Sequence, residues 1–190
     1  MGESKHEEQT ALLVELKLQS IDLEPPAFCD RHSGYYLLGR LPADSGDDWS
    51  FATDVRAFGS GPGSDSPFRG TPTGDRLLWK VEKSDRNTWK RRISIGRAGN
   101  NDIIIRHHTI SKLHAHFLFG MLAKLRQLSP SADLFLSDVG SSNGSSIAGR
   151  RLGEGEVVPV TSGSRIVFGG VQCQLLDAAE LYRTLRSILV

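Results

Sequence analysis

The sequence predicts a mainly β protein, a sandwich or barrel of short strands with a helix at each end. Three observations predict it. Past Asp75 the runs "RLLWKVEK", "WKRRISIGR", "DIII", "LHAHFLFG", "DLFLSDV", "SSIAG", "SRIVFGG" and "VQCQLLD" follow one another with Gly, Asn, Ser or Pro turns between them, which is the signature of an all-β fold. Before them lies "GSGPGSDSPFRGTPTGD", a composition too poor in apolar residues to fix a fold. After them, "DAAELYRTLRSILV" places Leu181, Leu185 and Ile188 on one helical stripe behind Asp177, a suitable N-cap.

A length of 190 residues suits one buried core plus additions, since domains commonly run to roughly 100–150 residues. The chain therefore divides into an N-terminal extension with a helix (1–43), a Gly/Ser/Pro-rich linker or loop (44–75), a β-sandwich (76–177) and a C-terminal helix (178–190). Within the extension, residues 5–18 carry Leu12, Leu13 and Leu16 at near-helical spacing behind acidic residues, a helix of about three turns. "EPPAFCDRHSGYYLLGRLP" reads as irregular structure with one short strand at its apolar knot, Tyr35 to Leu38. In "LHAHFLFG", Ala115, Phe117 and Phe119 alternate with His114, His116 and Leu118, so the two sets face opposite sides of a strand. "MLAKLRQLSPSAD" is long for a hairpin connection.

Composition excludes several function classes. Charged residues at 24% and hydrophobic ones at 38% exclude a disordered or fibrous chain. No apolar run is long enough to span a bilayer, and "MGESKHEEQT" lacks the apolar core of a secretion signal, which implies a cytoplasmic location. Cys29 and Cys173 are too few and too far apart for a disulfide framework or a CxxC metal knuckle. The net charge of +1 hides a division: residues 1–74 hold 6 Lys/Arg against 12 Asp/Glu, the remainder 17 against 10. The basic part is the β-rich part, suited to anionic partners. The acidic first part is open to three readings: a cover for the sandwich, a link to a partner, or, on opposite charge alone, a competitor for the anion site through Asp47, Asp48 or a phosphorylated Thr71 or Thr73.

"RHHTISKLHAHF" holds four of the six histidines. His114 and His116 form an HxH pair that zinc can use, but a third ligand would have to come from His107 or His108 folding back, and no HExxH or CxxC motif accompanies them. Ser111 and His114 lack a strained elbow and an orienting acid other than Asp138, which argues against an enzyme. A coherent inventory appears when three loops are read together: Gly96 and Arg97 with Gly99, Asn100 and Asn101; Ser111 and Lys112; and Ser141, Ser142 and Asn143 between two glycines. Strand ends of a sandwich gather at one edge, so such loops converge. They offer a guanidinium, an ammonium, hydroxyls and a carboxamide without an acid. That set suits a dianionic phosphate on a peptide, because Arg matches phosphate oxygens bidentately and Asn both donates and accepts as a peptide backbone requires.

Gly96-Arg97, Ser111-x-x-His114, Asp138-x-Gly140-Ser141-Ser142-Asn143-Gly144 and the closing "SGSRIVFGG" resemble the signature of forkhead-associated (FHA) domains. The resemblance covers Leu77 to Asp177 and implies an eleven-stranded β-sandwich that binds phosphothreonine peptides at its apical loops. It implies phosphate contacts from Arg97, Ser111, Lys112 and Ser142, a peptide-backbone contact from Asn143, and structural support from Gly96, His114 and Gly144. It implies a non-enzymatic signalling adaptor without cofactor or metal, docking a partner after Ser/Thr kinase phosphorylation. Its partners are then a phosphothreonine protein and the kinase or its substrate, with no nucleic acid and no membrane. A bacterial regulator fits the compact single-module chain. The sequence departs from many relatives in having Lys112 where Arg follows the serine, and Asn143-Gly144-Ser145 where they have Asn-Gly-Thr. The alternatives are phosphate-independent assembly through the same sandwich, and nucleic-acid binding through "NTWKRRISIGR". Against the latter, Trp89 is expected in or near the core, and alternating Lys/Arg on a strand is usually a solvated face.

Overall fold

The fold, a computed structural model, describes residues 7–42, 76–119, 129 and 132–188. The chain begins with helices α1 (Glu7–Asp22) and α2 (Pro25–Arg31), then strand β1 (Tyr35–Arg40). Next among the described residues come β2 (Arg76–Val81), β3 (Arg92–Gly96), β4 (Ile103–Ile104), β5 (Ala115–Phe119), β6 (Leu134–Asp138), β7 (Ser145–Ile147), β8 (Arg150–Arg151), β9 (Val157–Val160), β10 (Arg165–Phe168) and β11 (Val171–Asp177). Helix α3 (Ala178–Ser187) closes the described chain. The strands form a six-stranded sheet ordered β2-β1-β11-β10-β7-β8 and a five-stranded sheet ordered β4-β3-β5-β6-β9. The mainly β class with terminal helices is thus the architecture observed.

The apolar knot at Tyr35–Leu38 is a strand buried on both faces. Leu37 joins Leu77, Trp79, Cys173 and Leu175 in the core between the sheets, while Tyr36, Leu38, Leu78 and Leu176 point outward under a layer of helices. A strand covered on both faces reads as a continuous apolar run instead of alternating with polar residues. β1 pairs with β2 on one side and β11 on the other. The sheet therefore takes an interior strand from ahead of residues 44–75, within the segment expected to be an extension.

The helical layer comes from both ends of the chain. Leu13 and Leu16 of α1, Phe28 of α2 and Leu181 and Leu185 of α3 share one cluster with the outer face of the six-stranded sheet. Helix α1 extends past the expected residues 5–18 to Asp22. Helix α2 was read as irregular because of its two prolines, yet they occupy its first turn, where the missing N–H costs nothing. Asp177 caps α3 as its sequence position suggested, its carboxylate accepting from Glu180 N–H at 2.8 Å. At the other end, Lys17 Nζ of α1 donates to the carbonyls of Leu185 and Ile188, satisfying terminal acceptors of α3. Tyr182 donates to the Leu23 carbonyl and Arg186 to that of Ser20.

The five-stranded sheet buries Ala115 and Phe117 in the central core, while His116 and Leu118 lie on its opposite face. Trp89 departs from expectation. It is 37% exposed, on the connection between β2 and β3, with its ring edge-on to His116 at a centroid distance of 5.2 Å. Both cysteines are free, and burial pushes the Cys173 thiol up to about 12. The linker from 44 to 75, with Asp47, Asp48, Thr71 and Thr73, lies outside the described residues, as does most of "MLAKLRQLSPSAD".

Candidate functional site

Three connections meet at one end of the sandwich: residues 97–102 between β3 and β4, 105–114 between β4 and β5, and 139–144 between β6 and β7. Backbone bonds stitch the first two together. Arg97 N–H donates to the Ser111 carbonyl at 3.0 Å and Ala98 N–H to that of Lys112 at 3.2 Å. Gly96 lies at this seam, where any Cβ would collide with the Lys112 carbonyl. The position requires glycine for close approach, since its φ is unexceptional. Asn101, only 2% exposed, reinforces the seam by donating Nδ2 to the carbonyls of Ala98 and Lys112.

The third loop joins through Ser111. Its Oγ accepts from Ser142 N–H at 3.0 Å and donates to Ser142 Oγ at 3.4 Å. Asn143 donates Nδ2 to the Thr109 carbonyl at 2.8 Å, which leaves its Oδ1 as an acceptor. Ser111 and Asn143 are half-buried; Arg97, Lys112 and Ser142 are exposed. The structure thus brings the predicted residues to one surface, with Arg97 and Lys112 joined to the Ser111 loop through main chain and Ser142 through direct contact. An open pocket of about 220 Å³ beside Arg97 is lined also by Arg106, His107 and His108.

His114 is a strut. Its ring is fully buried and accepts from Ser111 N–H at Nδ1, 3.1 Å away, while Nε2 stands 3.2 Å from the Gly144 carbonyl. With Nδ1 accepting, the proton resides on Nε2 and the neutral tautomer donates to Gly144. One imidazole thereby ties the second loop to the third. Gly144 has φ +76, and a Cβ there would meet the Arg151 guanidinium at 2.6 Å. Its carbonyl also accepts from Gly169 N–H at 2.9 Å. Thr109 Oγ1 accepts from Gly170 N–H at 3.0 Å, which connects the "FGG" turn to the same assembly.

Two buried aspartates anchor the loops, and the sequence reading assigned neither this role. Asp102 Oδ1 accepts from Lys83 Nζ at 2.6 Å, Ser84 N–H at 2.9 Å and Ser84 Oγ at 2.8 Å. Its Oδ2 accepts from Ser94 N–H at 2.8 Å and Ser94 Oγ at 2.9 Å. Asp138 accepts from Gly140 N–H, Ser141 N–H, Ser141 Oγ and Ser145 Oγ, the last at 2.6 Å. The Ser145 hydroxyl therefore serves in that network. Burial opposes ionisation of both carboxyls, but Lys83 and the donors around Asp102, and the Ser145 and Ser141 donors around Asp138, hold them below the ordinary carboxylate range. An even density of Ser, Asn and Asp along these loops gave no signal distinguishing anchors from surface residues.

The histidines set a pH dependence. Burial holds His114 below its ordinary value, and burial with the Arg92 charge holds His116 down to about 4. Both rings are neutral in the fold and take up protons first in the unfolded chain, near the ordinary value of about 6.5. The stabilisation from His116 is complete above about pH 6.5 and is lost as pH falls toward about 4, a contribution of about 3 kcal/mol, and that from His114 is lost in the same direction. The two aspartates add a further loss below the ordinary carboxylate range. Urea midpoints are expected to fall steadily from pH 7 to pH 4.5; a flat profile contradicts neutral buried rings.

Residues 93–169 match the family model of the FHA domain, with β1, β2, β11 and the helices lying outside the matched span. Among solved structures, Mycobacterium tuberculosis EmbR in complex with a low-affinity phosphopeptide is 21% identical, over 47% of this chain and 20% of that one, with a TM-score of 0.37. This chain thus corresponds to about a fifth of the EmbR structure. The FHA domain of CT664 protein from Chlamydia trachomatis is 14% identical over 76% of this chain and 98% of that one, with a TM-score of 0.44. The Slr1951 protein from Synechocystis sp. is 17% identical over 75% and 95%, with a TM-score of 0.40. No curated protein matches the sequence. No helix among the described residues is long and apolar enough to cross a membrane.

Proposed function

We propose that the chain is a non-enzymatic adaptor that binds a phosphothreonine segment of a partner protein once a Ser/Thr kinase has modified it. One observation carries the reading. Ser111, Ser142 and Asn143 come from two loops held against each other, and the exposed Arg97 is bonded through its main chain to the same Ser111, with no carboxylate pairing its side chain among the described residues. In this reading Arg97, Ser111, Lys112 and Ser142 hold the phosphate, and Asn143 Oδ1 accepts from the peptide main chain. His114, Gly96 and Gly144 keep the loops in register. Phosphopeptide binding in the EmbR complex and the family's general role agree with it.

Each charge-assisted hydrogen bond contributes about 1.5–3 kcal/mol. Three such bonds, half offset by desolvation and ordering, discriminate phosphothreonine from threonine by roughly 10²–10³. The test is fluorescence anisotropy of a phosphothreonine peptide library against its dephosphorylated copy. Equal affinities reject the reading, and a partner that binds both forms equally would support phosphate-independent assembly instead.

A further inference from the structure

The pocket beside Arg97 is lined by Arg106, His107 and His108, with no acidic residue lining it among the described residues. Arg106 and His108 are exposed, and the two imidazoles lie 4.3 Å apart between centroids. The loop is fixed in this pose by its own backbone. Ile105 N–H donates to the Gly96 carbonyl, His107 N–H to that of Ile105 and Ile110 N–H to that of His107. Ile105 and Ile110 anchor it in the core on either side, and His107 Nδ1 accepts from Thr109 N–H at 3.3 Å. Two guanidinium groups are therefore held on one rigid concavity without a counter-charge from the described residues, an arrangement whose self-repulsion an anion relieves. Against roughly 30 Å³ per water, about 220 Å³ is room for a carboxylate or phosphate and several waters.

We infer that Arg106 and His108 form a second anion subsite, contiguous with Arg97, which selects ligands carrying another negative group close in sequence to the phosphothreonine. This rests on the phosphothreonine reading above and adds a specificity to it. The shared chemistry is an anionic oxygen group, supplied by an acidic side chain or by a second phosphate.

The experiment uses the full chain and peptides combining threonine or phosphothreonine with neutral flanks, with Asp placed singly within three residues on either side, or with a second phosphothreonine in its place. For the wild type, at least one Asp position should tighten the phosphothreonine peptide about three- to tenfold, and a second phosphate by at least as much. In the Arg106→Gln/His108→Gln variant the ratio of charged to neutral flank should fall to about one. A ratio of about one at every position in the wild type, or an unchanged ratio in the variant, overturns the subsite while leaving the phosphothreonine reading intact. No difference between threonine and phosphothreonine with neutral flanks overturns both. Tightening by the second phosphate alone identifies phosphate as the source; equal tightening by Asp identifies charge alone.

Discussion

Replacing Arg97 by Ala is expected to weaken phosphothreonine-peptide binding by about thirty- to a hundredfold, the equivalent of losing one bidentate, charge-assisted contact. The same change should leave the unfolding free energy within about 0.5 kcal/mol. Its side chain is exposed, and the structural work at this position belongs to the main chain, through Arg97 N–H and the Ser111 carbonyl. Alanine keeps that bond. Arg97→Lys should recover only part of the affinity, because an ammonium lacks the planar fork. Titration calorimetry with a phosphopeptide, beside urea denaturation of the same variant, separates the two effects. Binding that survives Arg97→Ala at full strength would place the docking surface elsewhere on the sandwich.

Asp102→Ala should produce the larger loss of stability, about 3–5 kcal/mol. The carboxylate is fully buried and accepts five hydrogen bonds from three residues. Its removal leaves Ser94 N–H and Ser84 N–H without acceptors and Lys83 without its ion pair at 2.6 Å. Asn at this position keeps the shape but turns an NH₂ toward donors, so it should rescue little. Urea unfolding measures the loss; a change below about 1 kcal/mol would show that waters replace the carboxylate at no cost.

The contrast between these two residues shows what was legible in the sequence. Strand runs such as "RISIG" and "VQCQLLD" declared themselves through composition and flanking turns, because β-propensity and turn chemistry are local. Ser111, Ser142, Asn143 and His114 could be nominated because their types and order form a motif. Asp102 could not, and Asn101 was placed in its loop without its bracing role, since their partners Lys83, Ser84 and Lys112 are set by packing across loops and leave no mark in nearby sequence. The run Tyr35–Leu38 was legible as a strand, but its place in the sheet was not. A short apolar run does not say which strands flank it, and only its neighbours β2 and β11 reveal its interior position.

The interior position of β1 also limits how the chain can be dissected. Deleting residues 1–74 would open a gap between β2 and β11 and bare the greasy underside of α3, so a shortened protein cannot report on what the acidic segment does by its charge. A backbone cut confined to residues 44–75 is a different operation. It separates two fragments that remain zipped along both edges of β1, and the influence of residues 44–75 on the recognition loops, whose Thr109 lies with Pro42 beside Gly170, could then be followed without dismantling the sheet.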